Sequence, residues 1–113
     1  MKLPNGKKAV VEIAKLRDYC LNVAHPEGRH KARVFRVVLG IGAAESHMLQ
    51  DRLLAAASDQ EAAAGEVDQF GHRYVIDFPL KHAGRRALVR AAWIVLTNED
   101  FPRLTSCYIL RGF

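Results

Sequence analysis

Apolar residues recur at helical spacing through the first half of the chain and then switch to strict alternation. Between residues 11 and 21, Ile13, Leu16 and Cys20 fall three to four positions apart, which predicts a helix ending near Asn22. His25-Pro26-Glu27-Gly28 interrupts the pattern and predicts a loop. Residues 28–39 (GRHKARVFRVVL) predict a second helix, closed by Gly40 as its C′ residue. At about 100° per residue, Val34, Phe35, Val38 and Leu39 form one apolar stripe with Lys31 at its centre. Arg29, Arg33 and Arg36 take the opposite face. Residues 43–57 predict a third helix, with Met48, Leu49, Leu53 and Ala56 on one side.

The period then changes. Tyr74, Ile76, Phe78 and Leu80 alternate with Arg73, Val75, Asp77 and Pro79, which predicts a strand. Pro79 lacks a backbone donor, so it argues for a sheet edge or a strand terminus. Residues 82–86 contain Gly84 and predict a turn, and the mostly apolar residues 87–96 predict a central strand. A polar turn at 97–100 and a third strand at 104–110 follow, and residues 61–70 supply a further edge strand. Pro4-Asn5-Gly6 marks a turn near the start. The expected fold is α+β, with N-terminal helices packed on a three- to four-stranded antiparallel meander in a single domain, 1–113.

Composition narrows the function. Half of the 113 residues are apolar, which excludes a disordered chain, and no apolar run is long enough to span a bilayer. The first residues lack the apolar core of a signal peptide, so a cytoplasmic location is expected. Cys20 and Cys107 sit in apolar contexts and read as buried, reduced thiols. The net charge of +5 favours a polyanionic partner. Its cations cluster at Arg29, His30, Lys31, Arg33 and Arg36, and again at Lys81, His82, Arg85, Arg86 and Arg90.

No zinc, EF-hand, P-loop, dinucleotide or nucleophile-elbow motif is present, so neither a metal nor a cofactor is expected. Metal-free cleavage of RNA remains. It needs a proton acceptor, a proton donor and cations on the phosphate. His30 is a candidate acid or base, since its ordinary pKa lies nearest neutrality. Lys31 either holds a phosphate or lays its stem on the core with its ammonium in solvent. Arg90, on the sheet face opposite Trp93, either grips a phosphate bidentately or pairs with Asp77 or Glu12. Tyr108, sharing a face with Ser106, either binds a base or phosphate or simply packs; Thr105 and Cys107 take the other face. Catalytic candidates are therefore His30, Lys31, Arg90, Thr105 and Tyr108. Arg29, Arg33, Arg36, Arg73 and Arg86 are candidate RNA contacts. His25 and His72 are weaker candidates, in or beside loops, Trp93 belongs to the core, and Phe70 or Phe113 could mark a partner surface.

The strings HPEGRHKARVF, YVIDFPL and AAWIVLTNEDFPRLTSCYIL, with the opening LPNG and LRDYCLN, together resemble an uncharacterised family of small bacterial proteins known as a domain of unknown function. That resemblance covers nearly the whole chain. It implies a toxin–antitoxin-like setting, and similarity to C-terminal toxin modules of larger secreted proteins. The helix-then-meander order also resembles the barnase, EndoU, colicin-tRNase and RelE group of metal-independent ribonucleases. By residue type, this second resemblance implies an active face of His30, Lys31, Arg90, Thr105 and Tyr108, with no equivalent of barnase's glutamate base evident. The expected function is a metal-independent endoribonuclease toxin acting on tRNA or mRNA and restrained by a cognate antitoxin. The alternative is a non-catalytic antitoxin or nucleic-acid-binding interaction protein. A homodimer stays open, and no membrane association is expected.

Overall fold

The computed structural model describes all 113 residues. Its strands are β1 (Ala63–Asp68), β2 (Gly71–His82), β3 (Arg85–Leu96) and β4 (Pro102–Gly112). They form one antiparallel meander in the order β1-β2-β3-β4. The helices precede them: α1 (Ile13–Lys15), which runs on as a π-helical turn (Leu16–Cys20), then α2 (Arg29–Leu39) and α3 (Ser46–Asp59). The α+β arrangement matches the expectation, with the further edge strand present as β1 and β3 central, between β2 and β4. No helix is long and apolar enough to cross a membrane.

Alternation determines which sheet face the helices cover. Tyr74, Ile76, Phe78 and Leu80 of β2 are buried, as are Ala87, Val89, Ala91 and Trp93 of β3. They pack with Leu16, Phe35, Leu39, Ile41, Leu49 and Leu53 into one core. Trp93 is inside, as the sequence suggests, and both cysteines are free and buried. The other sheet face has no layer over it. That is where Asp77, Arg90 and Tyr108 stand in register.

Turns fix this register. Ala83 and Gly84 both have positive φ (51° and 78°), which gives the β2–β3 hairpin a twist matched to its strands. At the β1–β2 turn, Asp68 Oδ1 accepts the Phe70 and Gly71 amides at 2.9 and 3.2 Å. Gly71 is obligatory there, since a Cβ would lie 2.1 Å from the Val95 carbonyl oxygen. Pro79 lies in β2, an internal strand. β1 pairs only as far as the Ala63–Val75 partnership, so β2 is a local edge at Pro79 and the missing donor costs nothing.

Two expectations are corrected. The first helix is shorter than residues 11–21 and widens into the π turn, where Leu16 and Cys20 are buried. On α2 the buried stripe is Ala32, Phe35 and Leu39. Lys31 is therefore not at its centre but at its border, exposed, roughly 70° round the helix axis. Of the two valines that the spacing assigned to the stripe, Val34 is exposed (39%) and Val38 is only half-buried. The error is physical: four apolar residues spread over more arc than one packed stripe can bury. The C-terminus of α2 ends as expected. Gly40 is left-handed (φ 68°) and donates to the Arg36 carbonyl at 3.0 Å. The β2–β3 hairpin adds two cationic or polar contacts there, Arg85 to the Val37 carbonyl (3.1 Å) and His82 Nδ1 to the Leu39 carbonyl (2.7 Å).

Candidate functional site

A cross-strand row on the open sheet face is the most organised polar feature. Asp77 of β2, Arg90 of β3 and Tyr108 of β4 are direct register partners. Period-two alternation places all three on one face. Arg90 Nε and Nη2 donate to the two Asp77 oxygens at 2.8 and 2.9 Å. Lys31, from α2, completes the row: its ammonium lies 4.7 Å from the centroid of the Tyr108 ring. Such a cation–π contact contributes about 0.5–1 kcal/mol at exposed sites. The sequence therefore identified three residues that the fold does bring together, Lys31, Arg90 and Tyr108. Of the two readings offered for each cation, the contacts seen are the structural ones: Lys31 is exposed with its ammonium on the Tyr108 ring, and Arg90 is paired with Asp77.

Charge in the row follows from these contacts. The Arg90 hydrogen bonds hold the Asp77 carboxyl below its usual range, against a smaller opposing effect of burial. The Arg90 pKa is raised, first by Asp77 and second by the Tyr108 hydroxyl. The row thus combines the Lys31 amine, the Arg90 guanidinium, the Asp77 carboxylate and the Tyr108 hydroxyl. A guanidinium held in a fork by a carboxylate is oriented, and Asp77 leaves the Arg90 Nη1 donors unused.

The other candidates go elsewhere. His30 is exposed and lines a shallow cleft on α2 with Arg33, Val34, Val37 and Val38, about 100° round the helix from Lys31. Thr105 is separated from Tyr108 by a β-bulge. Ala92 pairs with Ser106 and Trp93 with Leu104, which leaves Thr105 as the extra residue. Its hydroxyl donates to the Ala92 carbonyl at 3.1 Å. Arg29 donates to the Pro26 carbonyl at 3.2 Å, Arg73 is ion-paired with Asp68, and Arg86 lies 5.4 Å from the Phe113 ring centroid. Arg33 and Arg36 remain exposed. Phe70 and Phe113 are exposed as well (59% and 64%). His72 is exposed and stacked on Tyr74 at 6.5 Å between centroids.

Cys20 and Cys107 face each other behind β4. The hydrogen bond from Cys107 lowers the Cys20 thiol to about 7, with burial opposing and Lys15 assisting. Cys107 is raised well above the usual thiol range, first by Cys20 and then by burial.

His25 is the residue that sequence reasoning undervalued. Its Nδ1 accepts the backbone amides of Glu27 and Gly28, both at 3.0 Å, just before α2. This copies with an imidazole what an Asn or Asp side chain does in an Asx-turn, and it satisfies donors next to a helix start. The signal was available: a polar acceptor two and three residues ahead of donors at a helix entry. Tyr19 meets the His25 ring edge-on at 4.8 Å. Both line an open cleft of about 560 Å³ with Glu12, Lys15, Asp18, Glu27 and Thr105. No group of histidines, cysteines and carboxylates in the chain is arranged to hold a metal ion.

Comparison with known proteins gives a family match. No curated protein and no solved structure matches the chain. The model of the family DUF6883, a domain of unknown function, matches residues 2–111, and the chain belongs to that family.

Proposed function

We propose that the protein is a metal-independent endoribonuclease toxin whose phosphate-handling centre is the Lys31–Tyr108–Arg90 row. The observation that carries this reading is a phenol placed between two cations on an uncovered sheet face. The overall charge of +5 and the absence of any acidic residue in α2 support it. In the proposed reaction Lys31 and Arg90 neutralise a bridging phosphate. The RNA 2′-hydroxyl gives its proton to solvent water, since both Asp77 oxygens are engaged by Arg90. The 2′-oxygen attacks phosphorus and the bond to the 5′-oxygen breaks. Tyr108 gives its proton to that leaving oxygen, and the flanking cations stabilise the phenolate until solvent reprotonates it. The products are a 2′,3′-cyclic phosphate and a 5′-hydroxyl. A cognate antitoxin and an RNA substrate of tRNA or mRNA belong to the same proposal.

The engagement of Arg90 by Asp77 favours a second reading, an RNA-binding partner that holds phosphates without cutting. Growth after induced expression in a bacterial host separates the two. The proposal predicts arrest by wild type and relief by Lys31→Ala with Arg90→Ala. Normal growth with soluble wild-type protein would refute it.

A further inference from the structure

We infer that the cleft around His25 is a nucleobase subsite, in which the imidazole and Glu27 read the polar edge of an unstacked base. The inference rests on the RNA reading above and gives it a specificity element. The starting point is a protonation state fixed by geometry. His25 Nδ1 accepts two backbone amides, so it carries no hydrogen, and the proton of the neutral ring sits on Nε2. That Nε2–H makes no hydrogen bond within the chain. His25 in this tautomer is a hydrogen-bond donor held in place, not a proton shuttle.

The cleft surrounds it with complementary groups. Thr105 has spent its hydroxyl proton on the Ala92 carbonyl, so its oxygen can only accept. Glu12 and Asp18 have arginine partners, Arg103 at 3.7 Å and Arg17 at 2.9 Å. Glu27 has none and lines the same cleft as His25. Tyr19 adds an aromatic wall. With Glu12 and Asp18 paired, the cleft is left with one carboxylate, Glu27, against one ammonium, Lys15. That gives a bare phosphate no net attraction, whereas a nucleobase edge presents an N–H donor next to an acceptor and carries no charge. The backbone is shaped for the purpose by two irregularities, the π turn under Tyr19 and the bulge at Thr105. Both are features enriched at functional sites. Thr105 precedes Tyr108 by three residues on β4, roughly 10 Å. A phosphate on the Lys31–Tyr108–Arg90 row and a base in the cleft can thus belong to one short single strand.

The test is an NMR titration of histidine-labelled protein with guanosine, adenosine, cytidine and uridine, and separately with inorganic phosphate. Saturable shifts of the His25 ring with at least one nucleoside, and none with phosphate, are expected. Glu27→Gln should weaken that nucleoside about tenfold. His25→Asn keeps an acceptor for the two amides, so it should keep the melting temperature while abolishing nucleoside shifts at Tyr19. No shift with any nucleoside, or equal shifts with phosphate, overturns the inference. Oligonucleotide affinity measured on Lys31→Ala reports on the row alone. If that variant loses RNA while the nucleoside titration is blank, the RNA reading stands and the base subsite falls. If nucleosides bind and no RNA does, the RNA reading falls and the subsite stands.

Discussion

Asp77→Asn is the most revealing single change in the phosphate row. Wild type presents Lys31, Arg90 and one ionised carboxylate, a local charge of +1; the amide makes it +2. It also loosens the fork that Asp77 places on Arg90, so the guanidinium can turn to a phosphate. For single-stranded nucleic acid, each additional phosphate neutralised steepens the dependence of log affinity on log salt by about 0.7. The variant should therefore bind single-stranded RNA more tightly than wild type at low salt. Its advantage should shrink by about 2.6-fold between 50 and 200 mM salt. Fluorescence anisotropy of a labelled oligoribonucleotide over that salt range measures both quantities, with circular dichroism to show that the fold persists. Unchanged or weaker affinity with an unchanged salt slope would mean that Arg90 never meets a phosphate, and the row would lose its assigned role.

Three further outcomes are expected. Phe35→Ala removes a fully buried side chain under α2 and should cost about 3–5 kcal/mol in urea unfolding; a loss below 1 kcal/mol would contradict the packing described. Asp77 is lowered in the folded state by Arg90, so its stabilising contribution is full above its unfolded pKa of about 3.9 and is lost as pH falls through the folded value. Thermal melts should thus decline below about pH 4, and less steeply in Asp77→Asn; parallel curves would refute the linkage. Cys20, lowered to about 7 by Cys107, should titrate higher in Cys107→Ala, as ultraviolet absorbance of the thiolate would report.

The sequence carried the architecture because its two periodicities were clean. Alternation from Arg73 to Leu80 and the apolar run from Ala87 to Leu96 left one arrangement for the sheet. The face of Arg90 followed from parity with Trp93; of the two partners considered, the structure pairs it with Asp77. Helix phase was less legible. Lys31 was singled out for breaking a stripe that the folded helix rotates away from the core, yet the same border position is what lets it reach Tyr108. Alternation put Thr105 on the face opposite Tyr108, and only residue type grouped the two; the bulge that adds one residue at Thr105 is what alternation cannot anticipate. His25 was ranked low as a loop histidine, although its place two and three residues ahead of the amides at a helix entry was the available signal of its role.

The central claim is that the Lys31–Tyr108–Arg90 row acts on an RNA phosphodiester. Incubating purified protein with RNA in excess chelator and characterising the cut ends tests it most directly. The account predicts 2′,3′-cyclic phosphate and 5′-hydroxyl ends from wild type, with cleavage reduced about 10²-fold or more in Tyr108→Phe. Intact RNA with wild type, or equal cleavage by Tyr108→Phe, would contradict it.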